Sequence, residues 1–268
     1  LVYQKTTTGP AGFGSAVTLG SVDTVRFFAI WWDQWTPGDS GTLIHVAWTE
    51  GVNHDVRYRN LDTSSDTLST AVVVFNGASI DNSANLAEGS CTIGKVASNL
   101  LVIHARLDND GELVDRYSSD GGATWSTHTA TVFGSNTSSV QYLGAINATT
   151  YAVLHLNRAD GVLTLKGVTT SSIVGTTATL ATITIDGGFH AVSGSMRWSD
   201  GAFLINYITA QSTASSTFGA VEITAGGTVT HKTNVLSSVD MSQNVSTFID
   251  QNTGRWYVAY TSGATAGS

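Results

Sequence analysis

The sequence predicts an all-β chain, and among all-β folds a β-propeller of five four-stranded blades. Three observations point there. Short β-rich runs alternate with clusters of Gly, Asn, Asp, Ser and Thr, and helical periodicity is almost absent. The runs recur in groups of four, with second strands about 50 to 58 residues apart, near the ~40–50 of common propeller repeats. The two ends of the chain also complement each other, each supplying the strands that the other lacks.

First strands are expected at Val25–Asp33, Cys91–Asn99, Val140–Asn147, Ala191–Asp200 and Val245–Asn252, each ending near Asp or Asn. Strongly apolar second strands follow at Leu43–Trp48, Leu100–Arg106, Tyr151–Leu156, Ala202–Ile208 and Arg255–Thr261. Third strands are expected at Asp55–Leu61, Glu112–Ser118, Leu163–Thr169 and Phe218–Thr224. Fourth strands are expected at Leu68–Phe75, Thr127–Phe133, Thr176–Ile183 and Thr228–Leu236. After Arg255–Thr261 the chain stops at Ser268, while Leu1–Phe13 reads as a third strand and its turn. A blade shared between the termini closes the ring and leaves no long free sheet edge. A piece of a larger propeller and a β-sandwich are the competing architectures.

Composition narrows the function classes. The 268 residues suffice for one sizeable β core, so a single domain over 1–268 is expected. The chain opens on Leu1 rather than methionine, as an excised or processed chain would. Only 12% of residues are charged, about half the usual quarter, so hydroxyls supply the polar surface. Net charge is -8 with 12 Lys+Arg, and no basic run exists to displace phosphate counterions; nucleic acid is excluded as a partner. No apolar run approaches the ~20 residues of a membrane-spanning helix, and no secretion signal is visible. An acidic, hydroxyl-rich surface suits an extracellular or virion location and contact with neutral sugars. Cys91 is the sole cysteine; it excludes an internal disulfide and reads as a buried thiol.

Neither a metal nor a cofactor is expected. His45, His104 and His155 recur near the same place in three second strands, but in separate blades, and read as core histidines. Asp108-Asn109-Asp110-Gly111-Glu112 lacks the later bidentate Glu of a calcium loop and reads as a tight turn.

One stretch carries a specific motif. Ser118-Ser119-Asp120-Gly121-Gly122-Ala123-Thr124-Trp125 reads Ser-x-Asp-x-Gly-x-Thr-Trp. A short acidic side chain accepts turn N–H groups, glycine tolerates positive φ, and the hydroxyls lock the same turn. Ser118, Asp120, Gly122, Thr124 and Trp125 are therefore structural. The stretch matches the Asp-box at every defined position, and the chain resembles the sialidase/BNR-repeat superfamily of phage or bacterial type. Thr6, Thr8, Gly9, Ala11 and Phe13 fall opposite the box as a decayed copy, and Asp55–Thr63 is similar to other blades of that superfamily. The resemblance implies a propeller whose ligand lies on the face away from the Asp-boxes. For active members it implies three carboxylate-gripping arginines, a Tyr/Glu nucleophile and an acid/base Asp. The Phe/Tyr-Arg-Ile-Pro entry motif is absent; Val25-Arg26-Phe27 is its nearest trace.

On that frame the ligand-face loops hold Arg26, Glu50, His54, Asp81, Asp108, Arg158, Asp160, His190 and Gln243 as candidate ligand-binding residues. Asn76–Ser90 is the longest of these connections, and long loops on a rigid scaffold concentrate recognition. Trp31 and Trp32 read as packing between blades. Trp35 reads as a surface aromatic on the opposite, Asp-box face.

Three readings of function follow. The first is a non-catalytic surface module that recognises carbohydrate or a partner protein. The second is a sialidase-like glycoside hydrolase. The third is a structural propeller of a filament or virion.

Overall fold

The computed structural model describes residues 2–6, 13–19, 25–36, 38–50, 55–76, 91–97, 100–106, 113–126, 131–133, 142–145, 150–157, 162–169, 176–184, 189–209, 216–239 and 241–262. Some side chains within the strands, those of Arg26, His190 and Gln243 among them, also lie outside that description. The chain divides into two compact units, Leu1–Thr131 and Val132–Ser268. Among the described residues all regular structure is β, apart from one 3-10 turn at Asp33–Trp35.

The first unit begins with a hairpin of β1 (Val2–Tyr3) and β2 (Val17–Thr18), extended by a bridge between Thr6 and Phe13. A meander follows: β3 (Val25–Trp32), β4 (Leu43–Glu50) and β5 (Val56–Asp62). The expected fourth strand is broken into β6 (Thr67–Leu68) and β7 (Val72–Phe75), both paired to β5. Ser69 causes the break. Its Oγ accepts the Asn60 N–H at 2.9 Å, and its carbonyl accepts Arg59 Nε at 3.1 Å and Nη2 at 2.7 Å. The second sheet runs β11-β10-β9-β8, from β8 (Cys91–Ala97), β9 (Leu100–Arg106), β10 (Leu113–Ser118) and β11 (Thr131–Phe133).

The two sheets pack face to face. Trp31, Ala47 and Tyr58 of the first meet Ile93, Leu101, Ile103 and Val114 of the second. Arg116 donates to the Val74 carbonyl and lies 4.8 Å over the Phe75 ring, which ties β10 to β7. The opposite face of the first sheet, Val46, Trp48 and Leu61, is covered by Leu19 and Tyr3 of the amino-terminal hairpin. β4 is thus buried on both sides, which explains its nearly continuous apolar run. On β3 only Val25 joins this cluster; further along, Phe28 is 56% and Ile30 43% exposed.

The second unit contains two complete sheets. One is β12 (Tyr142–Ala145), β13 (Thr150–Asn157), β14 (Val162–Thr169) and β15 (Thr176–Thr184), in that order. The other is β16 (Phe189–Arg197), β17 (Ala202–Thr209), β18 (Ser216–Ile223) and β19 (Val229–Val239). β20 (Met241–Asp250) and β21 (Arg255–Ser262) form a two-stranded sheet. Val245 and Val258 pack on Ile208 and Phe218. Thr247 receives Asn206 into the contact through its hydroxyl, which donates to Oδ1 at 3.1 Å, and its N–H donates to Ser193 Oγ at 2.9 Å. Phe248 and Tyr257, 6.4 Å apart, stand on the other face, 63% and 51% exposed.

First strands end at aspartates for a visible reason. Asp200 Oδ1 accepts the Ala202 N–H, Asp250 Oδ1 accepts the Asn252 N–H, and the turns close through Gly201 (φ 69) and Gly254 (φ 67). The two terminal hairpins belong to separate sheets; among the described residues no ladder joins β1–β2 to β20–β21.

Candidate functional site

The densest chemistry in the first unit lies at the end where β3 turns into β4. Asp33 ends β3 and opens the 3-10 turn, so its carboxylate faces inward, 2% exposed. Oδ1 receives Lys95 Nζ from β8 and His45 Nε2 at 2.8 Å; Oδ2 receives the Leu43 N–H at 3.1 Å. Lys95 Nζ also pairs with Asp39 Oδ2 at 2.8 Å. On its other side His45 Nδ1 meets the Tyr58 hydroxyl at 2.7 Å, and that hydroxyl lies 3.1 Å from the Gly121 carbonyl. Burial alone would raise the Asp33 carboxyl, but the bonds from His45 and Lys95 outweigh it and hold it at about 2. Burial opposes the Lys95 charge; Asp33 and Asp39 overcome it and raise the ammonium. Burial pushes the Tyr58 phenol upward.

Lys, Asp, His and Tyr in sequence are the parts of a proton relay, yet Asp33, His45 and Lys95 have side chains only 1–7% exposed. No substrate reaches them. The chain of bonds instead fastens the second sheet to the first. Gly41 is part of it: a Cβ there would lie 2.1 Å from Asp33 Oδ2.

The Ser118–Trp125 turn completes the fastening. Ser118 Oγ donates to Asp120 Oδ1 at 2.7 Å and accepts the Gly122 N–H at 2.8 Å. Asp120 accepts the Thr124 N–H at 2.9 Å and its hydroxyl at 2.5 Å, and these bonds keep its carboxyl well below the usual carboxylate range. Gly121 and Gly122 take φ of 73° and 95°, the left-handed region. A Cβ on Gly122 would meet the Tyr58 ring at 2.1 Å, and Trp125 lies edge-on to Tyr58 at 5.2 Å. The turn closes its own hairpin and also docks on the neighbouring sheet.

The other end of β4 carries the one ligand-face candidate whose side chain is described. Glu50 ends β4, Asp55 precedes β5, and the Glu50 N–H donates to the Asp55 carbonyl at 2.9 Å. Arg57 spans both carboxylates, Nε at 2.8 Å from Glu50 Oε1 and Nη2 at 3.2 Å from Asp55 Oδ2. The Glu50 and Asp55 side chains are 9% and 10% exposed, whereas that of Arg57 retains 28%. This is a fixed clamp whose partly exposed guanidinium can donate N–H groups to an acceptor.

Arg26, His190 and Gln243 lie in β3, β16 and β20, with their side chains outside the described residues. His54, Asp81, Asp108, Arg158 and Asp160 lie outside the described residues altogether, as does most of the Asn76–Ser90 loop. Reading from sequence missed Asp55 and Arg57, and Lys95. A lone lysine inside the apolar run Cys91–Ala97 was the available signal for a buried ion pair. The three histidines do not share one position: His45 opposes Trp31 near the turn, while His104 opposes Thr92, further along its strand. Among the described residues no group of three or more His, Cys, Asp or Glu is placed to hold a metal ion. No helix among them is long and apolar enough to cross a membrane.

No family model and no curated protein matches the chain. Solved structures do. A Dos1 propeller matches with TM-score 0.53 and 8% identity over 95% of this chain and 58% of its own. A GH43 β-1,3-galactosidase solved with galactodeoxynojirimycin matches with TM-score 0.50 and 6% identity over 87% of this chain and 84% of its own. An α-L-arabinanase of Penicillium chrysogenum, solved with arabinobiose, matches at 0.49 and 12% over 88% and 74%. The chain spans 53% to 84% of the solved chains it is similar to. At these identities the likeness is one of fold, and that fold is the all-β propeller.

Proposed function

We propose that this chain is a sialidase-like propeller that recognises carbohydrate at a cell or virion surface without hydrolysing it. The observation that carries the reading is the clamp at Glu50, Asp55 and Arg57. A glycosidase of the paired-carboxylate kind needs one free acid and one free base or nucleophile. Here one guanidinium spans two nearly buried carboxylates, so both are engaged by the same partner. Such a group is suited to orienting hydroxyls. The Ser118–Trp125 turn, with every side chain of the motif engaged, is the Asp-box of this reading. The fold shared with a galactosidase supports sugar as the ligand class.

The finer architecture belongs to the same proposal: five blades in one domain, the fifth built from both termini. The amino-terminal hairpin covers β4 and β5 but leaves Phe28 and Ile30 bare on β3. β20–β21 is an inner pair whose outward face bears Phe248 and Tyr257.

The test is a glycan array with the purified chain, alongside aryl-glycoside reporters. Binding without turnover, weakened by Arg57→Ala, is expected. Turnover of a reporter that Glu50→Gln abolishes would overturn the recognition reading in favour of a hydrolase.

A further inference from the structure

The turn between β3 and β4 presents an aromatic, Trp35, that keeps 38% of its surface exposed. We infer that Trp35 is a stacking platform for a neutral pyranose, forming a second saccharide subsite at the opposite end of β4 from the Glu50–Arg57 clamp. The inference extends the carbohydrate reading above and rests on it for the class of ligand.

The platform is rigid. Trp35 closes the 3-10 turn, where the Thr36 N–H donates to the Asp33 carbonyl at 2.8 Å. Its ring stands edge-on to Trp31 at 5.9 Å and 83°. Trp31 is itself buried and donates to Thr36 Oγ1 at 2.9 Å, whose hydroxyl donates to the Lys95 carbonyl at 2.8 Å. The rest of the turn is held by Asp39 Oδ1, which accepts the Gly41 N–H at 2.8 Å, and by the Lys95 ion pairs. A ligand therefore meets an ordered ring and does not have to order it.

The surroundings select the ligand. Trp35 keeps 38% of its surface exposed, and its exposed neighbours along the turn are Gln34, Gly38, Ser40 and Thr42. One indole among small polar groups is too little apolar surface for a protein interface, which takes roughly 800 Å² a side with an apolar core. It suits a ligand with one apolar face and a hydroxyl rim. Both acidic groups of the turn, Asp33 and Asp39, are ion-paired with Lys95, which leaves the indole as the main exposed feature. β4 separates this turn from the clamp by eight residues, about 23 Å at ~3.3 Å rise, so the two subsites are distinct.

The experiment titrates a panel of neutral gluco-, xylo-, manno- and galacto-oligosaccharides into wild type, Trp35→Ala, Trp35→Phe and Glu50→Ala. The Trp35 indole N–H resonance, assigned by its loss in Trp35→Phe, is followed in wild type. Expected is a shift of that resonance, about tenfold weaker binding in Trp35→Ala, partial retention in Trp35→Phe and no change at this subsite in Glu50→Ala. The indole readout in wild type does not depend on the folding of Trp35→Ala. An unmoved resonance, with binding intact in Trp35→Ala and lost in Glu50→Ala, overturns the subsite and leaves the recognition reading standing. If no neutral oligosaccharide binds, the subsite is overturned; binding of acidic glycans on the array would then still sustain the recognition reading.

Discussion

Asp33→Ala is the sharpest probe of how this chain holds its sheets together. The substitution removes the acceptor shared by Lys95 Nζ, His45 Nε2 and the Leu43 N–H. It leaves a lysine side chain only 7% exposed, with Asp39 as the remaining carboxylate partner of its ammonium. Breaking a buried pair from one side costs about 3–5 kcal/mol, because the other charge stays buried. For a unit of this size that is a fall in Tm of roughly 10–15 °C. The sign with pH follows from the Asp33 carboxyl, lowered from 3.8 to about 2. Its contribution is complete above pH 3.8 and is lost as pH falls through about 2, an amount of roughly 2–3 kcal/mol. The variant should lack that part of the acid transition. Urea unfolding followed by tryptophan fluorescence reads the cost. The decisive control is Asp33→Ala combined with Lys95→Met, which removes the stranded charge and should recover part of the loss. A cost below about 1 kcal/mol, or a double variant as unstable as the sum of the singles, would refute the ion-pair account.

Other perturbations give further checks. Gly122→Ala places a Cβ 2.1 Å from the Tyr58 ring at a φ of 95°, so a loss of about 2–4 kcal/mol is expected by thermal unfolding, against well under 1 for Ala123→Gly beside it. Burial pulls His104 down from 6.5 to about 4, so its contribution is full above pH 6.5 and is lost as pH falls toward 4; stability should drop by about 3 kcal/mol across that window, and not in His104→Gln. Burial raises the Cys91 thiol to about 12, so it should react with a maleimide only as fast as the chain unfolds. Phe248 is 63% exposed, so Phe248→Asp should be neutral within about 0.5 kcal/mol in urea unfolding.

The sheets were legible in the sequence because their signal is local. Apolar runs bounded by Asp, Asn and Gly mark a strand and its turn, and Asp200–Gly201 and Asp250–Gly254 form the turns that their residues imply. The internal bonding of Ser118–Trp125 was legible for the same reason, since every partner lies within four residues. What the turn docks on was not. Tyr58 is 63 residues from Gly121, and nothing in either segment names the other. The split of the fourth strand at Ser69 likewise depends on Arg59, ten residues away across a ladder.

Local spacing thus determined which residues form strands and turns, because backbone periodicity and turn chemistry act over a few residues. Only the tertiary structure decided that Asp33, His45 and Tyr58 join Lys95 in a buried fastening, and that Glu50 and Asp55 are shared by Arg57. Charge pairing is set by distance in space, and burial, which makes such pairs obligatory, exists only once the sheets have met.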